Sequence, residues 1–202
     1  MQYDVVTSAF CPYSYPPFFC LYSKFRQGLT YANNRLFEST GLYGESSLLI
    51  LDPNTAAVVK QVPMDPSLFG EGLAYITGNL LQITWKARKG FVYNSDTLEV
   101  VRPFTFSTTR NEGWGITYDE CRNEIIVTDG SNNLHFWDPA TLTEIRKVSV
   151  MRQSAAPAAN LNEIEFWRGR VIANVWYEDV ILVINPVNGE VEKEYGTYVS
   201  SV

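Results

Sequence analysis

One module, written four times, constrains this chain more than any other feature. The phrases FRQGLTY, FGEGLAY, GWGITYD and LNEIEFW align on Leu29, Leu73, Ile116 and Ile164, each step being roughly 45 residues. A second phrase follows each of them: NRLFEST, NLLQITW, NEIIVTD and GRVIANVW. A third comes next, SLLILDPNT, GFVYNSDTL, LHFWDPATL and ILVINPVNG, and a fourth closes the unit, AAVVKQV, LEVVRPF, TEIRKVSV and EVEKEYG.

Each phrase is short, apolar and rich in β-branched and aromatic residues, and Asp-Pro, Asn-Gly and similar turn pairs separate them. In LDPNT and WDPAT a proline takes the first central turn position, where its fixed φ suits the turn. Helical periodicity is absent; only 151–160 leaves room for a weak helix. Four short strands in each of several successive units predict an all-β chain folded as a β-propeller. The expected blades are 25–62, 63–105, 106–150 and 151–194. An irregular segment, 1–24, precedes them with room for a closing strand at 3–6, and a short tail, 195–202, follows.

Composition narrows the function. Hydrophobic residues make up 46% of the 202-residue chain and charged ones 19%, the balance of a globular protein. The net charge is −6, with no basic cluster, which argues against a nucleic-acid surface. No apolar run is long enough for a membrane helix, and the first residues lack the positive start of a secretory signal. Cys11, Cys20 and Cys121 have no metal-ligand spacing. Cys11 and Cys20 are either a disulfide of an oxidising compartment or, as the sequence favours, free thiols.

In a propeller the first strand of each blade lines the central channel, so residues at the starts of those strands converge on one mouth. Gln27, Glu71, Trp114 and the Asn160–Asn162 stretch hold equivalent places in the repeat. The GEG and GWG phrases are not phosphate loops, because no helix follows them. His135 is the only histidine, sits in a strand phrase and builds no triad.

The phrases FRQGL, LFESTGLYGESSL, FGEGL, LLQITWKARKGFVY, GWGITYD, TDGSNNLHFWDP and LNEIEFWRGRVIANVW closely resemble the plant and bacterial type of glutaminyl-peptide cyclotransferase. The likeness runs over 25–194. It implies a five-bladed propeller that converts N-terminal glutamine to pyroglutamate with release of ammonia, unrelated to the zinc-dependent animal enzymes. It implies Phe25, Gln27, Glu71, Trp85, Trp114, Asn162 and Trp176 as site residues. It also implies peptides or proteins with N-terminal glutamine as partners, a monomer, and a secretory or extracytoplasmic location. No cofactor is required, although the family can hold a metal ion, calcium, in its axis; Asp65 and Asp129 are the residues here that face such a role. Two departures stand out. The family's fifth-blade phrase and its active-site lysine are not found after residue 195, and a Pro-, Cys- and Phe-rich stretch replaces the usual entry to the first blade.

The residue types fit that chemistry. A single carboxylate, Glu71, takes a proton from the attacking α-amine and passes one to the departing amide nitrogen. Asn162 or Gln27 offers a side-chain N–H to the oxyanion. Phe25, Trp85, Trp114 and Trp176 wall the glutamine side chain, tolerate a cationic amine over their faces, and by excluding water raise the pKa of Glu71. Trp137 and Trp167 are assigned to packing. The rival reading is an inactive truncated propeller serving as a binding module or pseudoenzyme. A third, a lactonase-like propeller, needs calcium ligands in its channel.

Overall fold

The computed structural model of the chain describes residues 25–197, and every regular element in that span is a β-strand. The first sheet runs β1 (Arg26–Ala32), β2 (Arg35–Thr40), β3 (Ser47–Leu51), β4 (Val58–Pro63). The second is β5 (Gly70–Ile76), β6 (Asn79–Thr84), β7 (Lys89–Asn94), β8 (Val100–Thr105). The third is β9 (Ile116–Asp119), β10 (Glu124–Val127), β11 (Asn133–Trp137), β12 (Glu144–Ser149). The fourth is β13 (Leu161–Trp167), β14 (Arg170–Val175), β15 (Val180–Ile184), β16 (Val191–Gly196). In every sheet the strands pair antiparallel in chain order, as a simple meander.

Local chemistry repeats with the strands. At the turn after the third strand of each sheet stands Asp52, Asn94, Asp138 or Asn185. Its side-chain oxygen accepts backbone N–H groups two or three residues on, as from Asn54 and Thr55 to Asp52 at 2.9 and 2.8 Å. Its carbonyl accepts the N–H of Ala56, Leu98, Leu142 or Gly189, each at 2.8 Å. That last residue has positive φ in all four sheets, and a register shift follows where the outer strand begins. Short polar side chains that mimic a backbone turn thus end each third strand.

Apolar side chains fill the spaces between successive sheets. Phe37, Leu48 and Ile50 of the first sheet meet Leu73, Leu80 and Tyr93 of the second. Leu81, Ile83 and Phe104 meet Ile116, Ile125 and Trp137 between the second and third. Leu134, Phe136 and Ile126 meet Leu161, Val171 and Leu182 between the third and fourth. Each sheet therefore packs face to face on the next, the arrangement of propeller blades.

The inner strands are pressed together by glycines. A Cβ on Gly28 would lie 2.5 Å from the Leu73 nitrogen, one on Gly72 would lie 2.7 Å from the Ile116 nitrogen, and one on Gly115 would lie 2.4 Å from the Asn162 carbonyl oxygen. Glycine at these repeat positions lets β1, β5, β9 and β13 approach closer than any side chain allows.

Two sequence expectations change. Residues 151–160 form no helix: Arg152 bonds Ala156 at 2.9 Å in a turn, and Met151 makes isolated bridges to Pro157 and Glu190. Proline and the turn bonds on either side leave no continuous helical ladder there. Trp137 packs as expected, 1% exposed against Phe104 and Phe106. Trp167 does not: it is 58% exposed. It borders a shallow cleft of about 470 Å³ on the open face of the fourth sheet, with Ile172, Ile181, Val183 and Tyr195. Cys121 is an exposed free thiol, whereas Cys11, Cys20 and the expected strand at 3–6 lie outside the described residues.

Candidate active site

The site is built at one rim of the propeller, where each inner strand begins and the second strand of its sheet ends. One backbone bond recurs there. In three sheets it is the same bond: Gly41 donates to the Phe25 carbonyl (2.7 Å), Trp85 to Phe69 (3.1 Å) and Trp176 to Asn160 (2.9 Å); in the third sheet Trp114 donates instead to the Thr128 carbonyl (3.0 Å). Trp85 and Trp176 therefore occupy the same place in their sheets, just past β6 and β14. Gln27, Glu71, Trp114 and Asn162 share a second place, each one residue before Gly28, Gly72, Gly115 or Glu163. The close packing of β1, β5, β9 and β13 sets these positions side by side.

Their surroundings differ. Glu71 and Asn162 are buried, 7% and 8% exposed, on inner strands. Gln27 is half-buried, and its side chain and the Phe69 ring crowd over Gly41. Phe25 is 37% exposed. The three indoles are half-buried. Phe69 meets Trp85 edge-on at 5.5 Å, and the Lys86 ammonium sits 3.8 Å above the Trp85 ring. One face of Trp85 is thus already covered by the chain's own cation. Trp114 lies flat on Gly130, where a Cβ would meet the ring at 2.5 Å. Gly130 accepts the Asn160 N–H at 2.9 Å, and Asn160 in turn bonds Trp176. A chain of local contacts thus links the second and third of these tryptophans.

Two carboxylates absent from the sequence reading belong here. Glu112 accepts both the Trp85 indole N–H (2.8 Å) and the Trp114 indole N–H (2.9 Å) on the same oxygen. Glu163 stands where the other three inner strands carry glycine. Both of its carboxylate oxygens are inaccessible and make no hydrogen bond of normal geometry among the described residues. Burial pushes its pKa well above the usual carboxylate range, and the negative charges of Glu165 and Glu71 push the same way; the Leu29 backbone N–H acts against them. Partial desolvation also raises the pKa of Glu165, whose side chain still reaches solvent, against a weak hydrogen bond from Thr117. Glu71 thus lies in a carboxylate-bearing mouth, close enough to Glu163 for their charges to interact.

Asp65 and Asp129 are both engaged by neighbouring groups. Asp129 spends one oxygen on the Ser131 N–H and hydroxyl and the other on the Arg110 N–H and His135. Asp65 caps the Ser67 turn. Among the described residues no group of three or more His, Cys, Asp or Glu side chains is arranged to hold a metal ion. His135, fully buried on β11, lies between Glu144 (2.5 Å) and Asp129 (3.4 Å) as a structural bridge.

Radially packed four-stranded sheets, with a carboxylate and several indoles at one mouth, define a β-propeller with an aromatic-walled polar site. The family model described as glutamine cyclotransferase matches residues 20–198, and the chain belongs to that family. It is similar to a curated glutaminyl-peptide cyclotransferase of Arabidopsis thaliana, 38% identical over 166 residues, which covers 82% of this chain and 50% of the relative. The chain therefore spans about half the length of that relative. Among solved structures it resembles the glutaminyl cyclase of Myxococcus xanthus, with TM-score 0.76 and 29% identity over 85% of this chain and 70% of that one. A likeness to hydrazine synthase of Kuenenia stuttgartiensis, with TM-score 0.56 and 14% identity over 85% of this chain and 49% of that one, reflects the fold alone.

Proposed function

We propose that the chain cyclises N-terminal glutamine of peptides to pyroglutamate, releasing ammonia without a metal ion. One observation carries the reading. A buried carboxylate, Glu71, shares a single rim with Trp85, Trp114, Trp176, Gln27 and Asn162 in a chain of the glutamine cyclotransferase family.

The reaction is intramolecular. The neutral α-amine of the substrate attacks its own γ-carboxamide carbon, forming the new C–N bond of the five-membered ring. The amine's pKa, near about 8, leaves a useful neutral fraction at working pH. Glu71 accepts the proton that the attacking nitrogen sheds and delivers it to the amide nitrogen, whose bond to carbon then breaks, and ammonia departs. Proton management by one carboxylate contributes roughly 10²–10⁴-fold. Asn162 or Gln27 donates an N–H to the tetrahedral oxyanion. Trp114, Trp176 and the free face of Trp85 wall the substrate side chain and keep bulk water from the reacting carbon. Because Lys86 covers the other face of Trp85, the substrate amine meets the remaining indole faces. The family match favours this reading over a non-catalytic binding propeller.

Ammonia release from a Gln-initiated peptide, measured beside the mass loss of one ammonia from that peptide, tests the proposal. The expected result is that the full chain releases ammonia and that Glu71→Gln falls at least about 10²-fold with its folded circular dichroism unchanged. Undiminished turnover by Glu71→Gln would remove the carboxylate from its role.

A further inference from the structure

Glu112 bonds both tryptophans through one oxygen, and that geometry has no counterpart elsewhere in the described residues. The Trp85 and Trp114 indole N–H groups reach the same Oε2 at 2.8 and 2.9 Å, so the two nitrogens are held within twice a hydrogen-bond length of each other. The two indoles come from different sheets, one past the end of β6 and the other just before β9. Nothing in either sheet alone fixes their relative placement.

Glu112 itself is anchored. Its N–H donates to the Thr108 hydroxyl at 3.2 Å, and that hydroxyl donates to the Glu112 carbonyl at 2.7 Å. The next residue, Gly113, donates to the Trp85 carbonyl at 2.9 Å. A Cβ on Gly113 would lie 2.9 Å from the Thr84 carbonyl oxygen and 2.8 Å from the Phe106 ring, so this segment presses directly on the end of β6. The side chain of Glu112 therefore starts from a backbone already tied to both neighbours. Charge-assisted hydrogen bonds from neutral donors are short and directional, which suits a carboxylate to hold two rings at once.

We propose that Glu112 is a positioning residue for the substrate site, setting the separation and tilt of Trp85 and Trp114 so that they form one wall for the glutaminyl side chain. The inference rests on the proposed cyclase function for its substrate, but the wall's geometry is measurable without turnover. Glu112 acts on the substrate through the indoles; it is not placed at the reacting atoms.

The test compares Glu112→Gln with Glu112→Leu in the full chain. Glutamine retains a carbonyl oxygen that accepts both indole N–H groups, whereas leucine removes the acceptor and keeps the bulk. In Glu112→Leu, KM for a Gln-initiated peptide rises about tenfold or more while kcat stays within about threefold, and Glu112→Gln restores most of the loss. Acrylamide quenching of tryptophan emission rises in the leucine variant and returns toward the parent in the glutamine variant. An unchanged KM and unchanged quenching in Glu112→Leu would overturn the proposal. So would a glutamine variant as impaired as the leucine one with parental quenching, because charge and not placement would then be at work. Should the leucine variant fail to fold, Glu112→Ala, which also removes the acceptor, replaces it with the same two readouts and the same expected and overturning results. If the parent chain releases no ammonia, the cyclase reading fails by itself, and the quenching comparison still decides whether Glu112 places the indoles.

Discussion

The Gly72 N–H donates to the Trp114 carbonyl across 2.7 Å, stitching the second and third sheets together one residue from Glu71. The bond requires that β5 and β9 approach without a side chain between them. It couples the carboxylate's strand directly to the indole's, so packing at Gly72 and geometry at the mouth are one problem.

Gly72→Ala tests that coupling. The new Cβ would sit 2.7 Å from both the Ile116 nitrogen and the Trp114 carbonyl oxygen, which are backbone atoms with little room to yield. The expected cost is about 1–3 kcal/mol of unfolding free energy in a urea titration, together with reduced ammonia release. Gly196→Ala, where a Cβ meets nothing within 4 Å, serves as the control and should change stability by less than about 0.5 kcal/mol. Equal effects from the two substitutions would contradict the close-approach explanation.

Gly130 supports the Trp114 ring from below. Its φ is +74°, and a Cβ would meet the ring at 2.5 Å, so alanine there is both strained and obstructive. Gly130→Ala should displace Trp114 and raise KM for a Gln-initiated peptide about tenfold, with kcat changed less than about threefold. Steady-state kinetics on peptides of fixed length read this out, and an unaltered KM would show that the ring's seat is irrelevant to binding.

Glu163 makes stability fall as pH rises. Its folded pKa is raised by burial, then by Glu165 and Glu71, so between its unfolded value of 4.5 and its folded value only the folded chain holds that proton. Folding is then opposed progressively as pH climbs through that window. Glu165 acts in the same direction, but its partly exposed side chain is screened by solvent and its share is smaller. Glu163→Gln should therefore flatten the decline. Urea midpoints should match the parent at pH 4 and exceed it at pH 8; a variant with the parent's slope would refute the assignment.

His135 adds a second, separable pH dependence. Burial lowers its pKa, but hydrogen bonds and charge from Asp129 and Glu144 outweigh that and raise it above 6.5. Its contribution is complete below 6.5 and is lost as pH rises through the folded value. Asp129 behaves oppositely. Burial raises its pKa, the bonds from His135, Ser131 and the Arg110 N–H depress it further than burial lifts it, and its contribution is lost as pH falls below 3.8. Because His135 is the only histidine, its imidazole proton resonance titrates without overlap. A midpoint above 6.5 is expected, and one at or below it would break the bridge.

Much of the architecture was legible because it depends on short-range rules. Alternating apolar strands and the Asp or Asn that closes each third strand act within a few residues, and repetition multiplied that weak signal. The rim positions of Gln27, Glu71, Trp114 and Asn162 were legible for the same reason, since equivalent places in a repeat become neighbours around an axis, whereas Trp85 and Trp176 were implied only by the family resemblance. Glu112 was not. Its partner Trp85 lies 27 residues away in another sheet, and a side-chain bond between sheets leaves no periodic trace. Glu163 was passed over beside Asn162, although it breaks the glycine pattern of the other inner strands. Trp167 read as a packing residue because aromatics usually are; its exposure depends on what lies over the fourth sheet, which strand patterns do not specify.

Amino-acid order alone determined where strands start and stop, how the modules recur and which residue types occupy matching slots, because torsional preference and side-chain alternation are properties of neighbouring residues. Tertiary structure decided which oxygen the indoles share, which carboxyl loses its water and which aspartate is consumed by a buried imidazole. Those outcomes depend on distances between groups remote in the chain, and desolvation and hydrogen bonding take effect only once packing has brought the groups together.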